Sequence, residues 1–143
     1  GGTANAWAQG NVVLAVLNGG ALQVAAPVAN KATTIKFTDS EQITEDVWTD
    51  GRPVYRKAFV GTITSNNLSI SIGVPAIDNC WVDNANSFAI ATNGYGRPVN
   101  YYLNASDNMN VQVNLNENVL VLSYSLASWQ TATYCIAIKY TKL

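Results

Sequence analysis

From Leu68 to Val74 apolar and small residues alternate without a break, Leu68, Ile70, Ile72 and Val74 on one side and Ser69, Ser71 and Gly73 on the other. Successive side chains of an extended chain point to opposite faces, so this period of two predicts a half-buried β-strand. The pattern returns in Val111-Gln112-Val113-Asn114-Leu115, stops at Asn116-Glu117-Asn118 and resumes from Val119 to Tyr124. Two such runs joined by three residues predict a hairpin. Near the end of the chain, Tyr134, Ile136, Ile138 and Tyr140 share one face of a further strand. Shorter apolar stretches at 12–17, 22–28, 33–37, 53–60, 87–91 and 99–103 bring the total to roughly ten strands at close spacing. That spacing predicts an all-β fold, a sandwich or a barrel, and the expected architecture is an antiparallel β-sandwich of the jelly-roll-like kind.

Composition supports the pattern. Charged residues are 12% of the 143, half the usual share of about 25%, against 48% hydrophobic residues, which argues against disorder. Polarity comes instead from Asn, Thr, Ser and Gln; Asn favours turns, Thr and Val favour strands, and the strong helix formers Glu, Lys and Arg are few. The length suits one domain, and no Gly/Ser, Pro-rich or charge-block linker interrupts it. A softer break at Pro27-Val28-Ala29-Asn30-Lys31 separates an Ala-rich start from the rest. Residues 1–32 are thus expected to be an N-terminal stem or collar that oligomerises, or simply the first strands, and residues 33–143 the sandwich head. Gly-Arg-Pro-Val occurs twice, at 51–54 and 96–99, and reads as two similar turn exits into strands.

Whole classes of function fall away next. A net charge of -1 does not suit phosphate neutralisation, so neither nucleic-acid binding nor polybasic membrane binding is expected. There is no His, which removes Ser-His-Asp, Cys-His and His-metal sites in their usual form. A Ser nucleophile with a Lys base would need Ser-x-x-Lys, and that spacing is absent. Asp46 with Asp50, or Asp78 with Asp83, are the candidate glycosidase pairs. Carboxylates among Asn-rich turns ordinarily bond their own backbone, so catalysis is not expected. The loop Asn104 to Asn110 alternates oxygen ligands but has one carboxylate and neither the Gly nor the final Glu of a calcium loop; it reads as a hairpin tip. No metal or cofactor is expected. No apolar run reaches the roughly 18 residues that span a bilayer. The opening Gly1-Gly2-Thr3 has no basic region, so no signal peptide is expected at this end. Cys80 and Cys135, each beside an apolar strand, allow at most one bridge and read as free thiols.

Aromatic residues are the remaining candidate chemistry. Trp7, Trp48, Trp81 and Trp129 fall at expected strand ends or loops. Exposed rings stack on sugars, while amides and carboxylates bond hydroxyls; the alternative is that the rings fill the core. Tyr95, Tyr101 and Tyr102 flank an Asn/Gly-rich stretch, and consecutive Tyr101 and Tyr102 must face opposite ways, so one of them has a path to solvent. With Asn93, Asn104 and Asp107 they form the expected receptor- or glycan-binding set.

The most distinctive segment runs from Asp39 to Phe59, around Trp48-Thr49-Asp50-Gly51-Arg52-Pro53-Val54-Tyr55-Arg56-Lys57. It resembles a segment recurring in phage and prophage structural proteins of gut bacteria, where it opens the distal β-domain of a tail or head fibre. The closing Ile138-Lys139-Tyr140-Thr141-Lys142 is similar to the final strand of those domains. The resemblance covers residues 38–60 and 134–142. It implies a non-enzymatic fibre head, part of the virion and extracellular after release, which attaches to a bacterial surface glycan or protein. It also implies a homotrimer, whose closed ring would bury the apolar 12–28 region. No catalytic motif comes with it. On the residues alone, the motif is a hairpin in which Val47-Trp48 pairs with Val54-Tyr55 and Trp48 covers the turn. Arg52, Arg56 and Lys57 are expected to stay solvated or to meet Glu45 and Asp46 in pairs worth about 0–1 kcal/mol. The rival readings are a monomeric carbohydrate-binding module of a secreted glycosidase and a receptor-free virion decoration protein.

Overall fold

The computed structural model describes residues 37–143 and, ahead of them, the strand backbone of β1 (Asn11–Val12), β2 (Ala15–Asn18), β3 (Ala21–Val24) and β4 (Val28–Ala29). The chain divides into two compact units, Gly1–Ile35 and Lys36–Leu143, close to the break seen in the sequence. In the first, β2 pairs antiparallel with β3 and β1 with β4, one hairpin nested in another. Trp7 and most of the strand expected at 33–37 lie outside the described residues.

The second unit has ten strands. They are β5 (Gln42–Val47), β6 (Pro53–Thr62), β7 (Leu68–Ser71), β8 (Ile77–Val82) and β9 (Phe88–Ile90). There follow β10 (Gly96–Pro98), β11 (Tyr101–Asn104), β12 (Asp107–Asn114), β13 (Val119–Tyr124) and β14 (Thr133–Lys142). One sheet runs β10-β9-β14-β6-β5, with β8 also on β14; the other runs β11-β12-β13-β7. Every pairing is antiparallel, and the two sheets pack as a β-sandwich.

Strand β14 organises the larger sheet. Along one side it pairs with β6 from Thr133 to Tyr140; along the other, β9 and β8 lie end to end. Ala137 falls in the gap between them, where its backbone would lack partners. The Asp83 N–H donates to the Ala137 carbonyl at 2.8 Å. The buried Ser87 hydroxyl accepts from the Ala137 N–H at 2.9 Å and donates to the Asp83 carbonyl at 2.7 Å. A side chain thus stands in for the missing ladder, since an unpaired buried amide is costly.

The alternation in the sequence is the alternation of the sandwich. Tyr134, Ile136, Ile138 and Tyr140 meet Met109, Val111, Leu120, Leu122 and Ile72 in one buried cluster. Each such side chain contributes about 1.5–3 kcal/mol of burial free energy. On the opposite face of the larger sheet lie the small residues Ala58, Cys135 and Ala137. Both thiols are free: Cys135 lies on that face, whereas Cys80 packs against the core. Burial pushes the Cys80 thiol up to about 12.

The structure corrects several expectations. The pattern reached only the Val47 end of β5 and the Trp81-Val82 end of β8, and it missed β10, read as a turn exit. β5 is a mostly exposed edge, β8 is half-buried throughout and β10 is three residues long, so none has a clean period of two. The run at 68–74 is pleated only to Ser71, and Gly73 then takes a φ of 65°, a left-handed turn that favours glycine. In the hairpin, Val47 pairs with Pro53 and Gly51 donates to the Trp48 carbonyl at 2.9 Å. Trp48 packs on Trp81, with ring centroids 5.5 Å apart. Arg56 is not solvated; it is buried, 3.7 Å from Asp83 and over the Phe37 ring. Lys57 donates to the Ile72 carbonyl at 3.0 Å, and Arg52 pairs with Asp50 and Asp78. Asp46 pairs with Lys139. Every carboxylate of the two candidate glycosidase pairs therefore faces a cation: Asp50 meets Arg52 within its own turn, and Asp46, Asp78 and Asp83 meet cations that distant parts of the chain bring alongside.

Candidate functional site

The chain passes from one sheet to the other between β10 and β11, and the aromatic candidates gather there. Val99, fully buried, pins the crossing, and Asn100 Oδ1 accepts the Val111 N–H at 2.6 Å. The fixed crossing sets Tyr95 and Arg97 from the larger sheet beside Tyr101 from the smaller one. The Arg97 guanidinium carbon lies 4.9 Å from the Tyr95 ring centroid and 5.3 Å from that of Tyr101. Trp129, at the end of the 3-10 turn Ala127–Trp129, closes the cluster from beneath; its ring is 6.1 Å from Tyr101 and 6.3 Å from Tyr95.

A relay of hydrogen bonds orients the rings. The Trp129 indole N–H donates to the Tyr101 hydroxyl at 2.8 Å, and that hydroxyl donates to the Asp107 carboxylate. Burial and then the bond to anionic Asp107 push the Tyr101 phenol up to about 12. It stays neutral and a donor throughout the physiological range.

The expected site residues divide. Tyr95, Tyr101 and Asp107 do come together. Asn93 supports them from outside: its Oδ1 accepts the Tyr95 N–H at 3.0 Å, and Gly94 at a φ of 84° completes the turn. Asn104 is a turn former at the β11–β12 tip, its Oδ1 accepting the Ser106 N–H at 2.8 Å and its carbonyl accepting from Asn108 Nδ2 at 3.0 Å. Tyr102 faces away from the cluster, as consecutive strand residues must. Sequence reasoning missed Arg97; Trp129, 1% exposed, belongs to the core, the alternative that the sequence offered for the aromatic residues. Arg97 had a usable signal, for it stands two residues after Tyr95 and a strand would put both on one side.

Tyr102 opens a second surface. It is 75% exposed and sits opposite Asn108 in the β11–β12 register. The same face continues as Asn110 beside Ser123, Gln112 beside Val121 and Ser69, and Asn114 beside Val119 and Ser71. None of these residues is charged. Among the described residues, the exposed amides of Asn110 and Gln112 have no hydrogen-bond partner. Two shallow depressions mark the face, one of about 320 Å³ at Tyr102, Asn108 and Asn110, and one of about 470 Å³ at Gln112, Asn114 and Val121. Amides offer a donor and an acceptor in fixed directions, and a phenol ring offers a flat apolar face. Such a surface suits binding a hydroxyl-rich ligand; it holds no group that titrates near neutrality.

Among the described residues, no three His, Cys, Asp or Glu side chains converge as metal ligands, and no helix is long and apolar enough to cross a membrane. In comparisons with family models, curated proteins and solved structures, the chain matches none.

Proposed function

We propose that the chain is a recognition domain, the distal head of a phage fibre that attaches a virion to a saccharide on a bacterial surface. The observation that carries the recognition half is the charge-free outer face of β11, β12, β13 and β7, with Tyr102 exposed at its edge and unpartnered amides beside it. A sugar docking there strips water from no ion, stacks one ring on Tyr102, and exchanges hydroxyl–water bonds for bonds to Asn110 and Gln112. The fibre half rests on the resemblance of residues 38–60 and 134–142 to fibre head domains. Three copies on one particle would raise the avidity of a weak site by about 10²–10⁴ where geometry permits.

A glycan array read with the monomer and with an artificially trimerised chain tests this. Binding that depends on trimerisation and falls at least tenfold in Tyr102→Ala, with the unfolding midpoint unchanged, supports the reading. Unchanged binding in Tyr102→Ala overturns the assignment of the face. A second reading has its own support, since one chain supplies the whole face: equal signal from the monomer identifies a carbohydrate-binding module. Silence from both forms indicates a decoration protein.

A further inference from the structure

Arg97 belongs to the second Gly-Arg-Pro-Val, which in the sequence was only a turn exit. Its neighbours explain why an arginine stands there. Tyr95 and Tyr101 hold the guanidinium, their ring faces attracting the cation. Among the described residues it has no hydrogen-bond acceptor and no ion pair. Asp107, the carboxylate of the cluster, accepts instead from the Tyr101 hydroxyl. The Arg97 Nε–H is buried without an acceptor. The terminal Nη groups are neither bonded nor buried in this way, so they meet solvent.

We infer that Arg97, framed by Tyr95 and Tyr101, is a binding subsite for the carboxylate of an acidic sugar, a uronate-type residue in the receptor. The inference rests on the recognition reading above and adds the charge of the ligand. Two rings flank the guanidinium, so an anion reaches it at its exposed end, where two N–H groups lie in one plane. That is the fork that a planar carboxylate matches with two parallel bonds. Tyr95 is 49% exposed beside it and offers an apolar edge to the attached sugar ring. Held in place by its neighbours, the fork loses little entropy on binding.

The test uses the full chain and small probes, followed by NMR of the tyrosine rings and the Arg97 side-chain N–H. Glucuronate, glucose, acetate and inorganic phosphate are titrated into the tens of millimolar. The inference expects glucuronate to shift the Tyr95 and Arg97 signals saturably and glucose to leave them in place. Acetate and phosphate should bind at least fivefold more weakly. Arg97→Gln should weaken glucuronate at least tenfold, and Arg97→Lys, which keeps the charge but not the fork, should fail to restore it. An unshifted Trp129 indole signal in both variants certifies the fold. Equal binding of acetate or phosphate reduces the site to a general anion cradle and overturns the sugar assignment. No shift with glucuronate, or a shift that survives in Arg97→Gln, overturns it altogether. Signals of Tyr102 in the same samples report the uncharged face, so a failure at Arg97 is separable from a failure of the recognition reading.

Discussion

Tyr101→Phe removes one oxygen atom and leaves the ring, its packing and its contact with Arg97 in place. The cost falls on Trp129. That residue is 1% exposed, and its indole N–H, which donates to the Tyr101 hydroxyl at 2.8 Å, is left without an acceptor. An unsatisfied buried donor costs about 1–3 kcal/mol. Asp107 also loses a hydrogen bond but is only half-buried, so water replaces most of it. The sum is about 2 kcal/mol. At about 4 °C per kcal/mol for a domain of this size, the melting temperature should fall by about 8 °C. Urea unfolding should show a lower midpoint with the same slope. A cycle with Trp129→Phe isolates the bond, because the cavity made by the smaller ring cancels; a coupling of about 2 kcal/mol, nearly the whole loss, is expected. The relay also predicts a pH dependence. Tyr101 ionises near 10 when unfolded and near 12 when folded, so its contribution is complete below pH 10 and is lost as pH rises towards 12. Tyr101→Phe should flatten that part of the alkaline limb. A Tyr101→Phe protein within about 0.5 kcal/mol of wild type, or a cycle without coupling, would refute the relay.

Ser87→Ala should cost about 1–3 kcal/mol in urea unfolding, because the Ala137 N–H in the gap between β8 and β9 loses its acceptor. Gly61→Ala should cost about 1–3 kcal/mol by overpacking, since the added Cβ would stand 2.6 Å from the Tyr134 hydroxyl and 2.9 Å from its ring. Tyr134→Phe should relieve only part of that loss, because the ring carbon remains. Burial of Glu41 favours its neutral form, but hydrogen bonds from Lys142 and Tyr140 outweigh this and hold its pKa below the ordinary 4.5. Its contribution is therefore present above pH 4.5 and lost as pH falls through the lowered value. Glu41→Gln should flatten the acid limb of the stability profile, and an unchanged limb would remove Glu41 from that role.

Local pattern determined the larger part of the fold. A period of two is a property of neighbouring residues, so it marked β7, β12, β13 and β14 and put Tyr134, Ile136, Ile138 and Tyr140 on the core face before any partner was known, while short apolar runs marked β6, β9 and β11. The opposed directions of Tyr101 and Tyr102 follow from the same geometry. Only the tertiary structure decided what depends on strands meeting across the sequence. β5 and β8 are strands because β6 and β14 complete their hydrogen bonds, not because their own residues alternate. Arg56 is buried because β6 turns that face towards Asp83 and Phe37. Arg97 gained its tyrosine clamp where the chain crosses between sheets, and Trp129 became core because both sheets close over it. Burial and charge pairing are sums over distant neighbours, and a linear pattern contains no term for them.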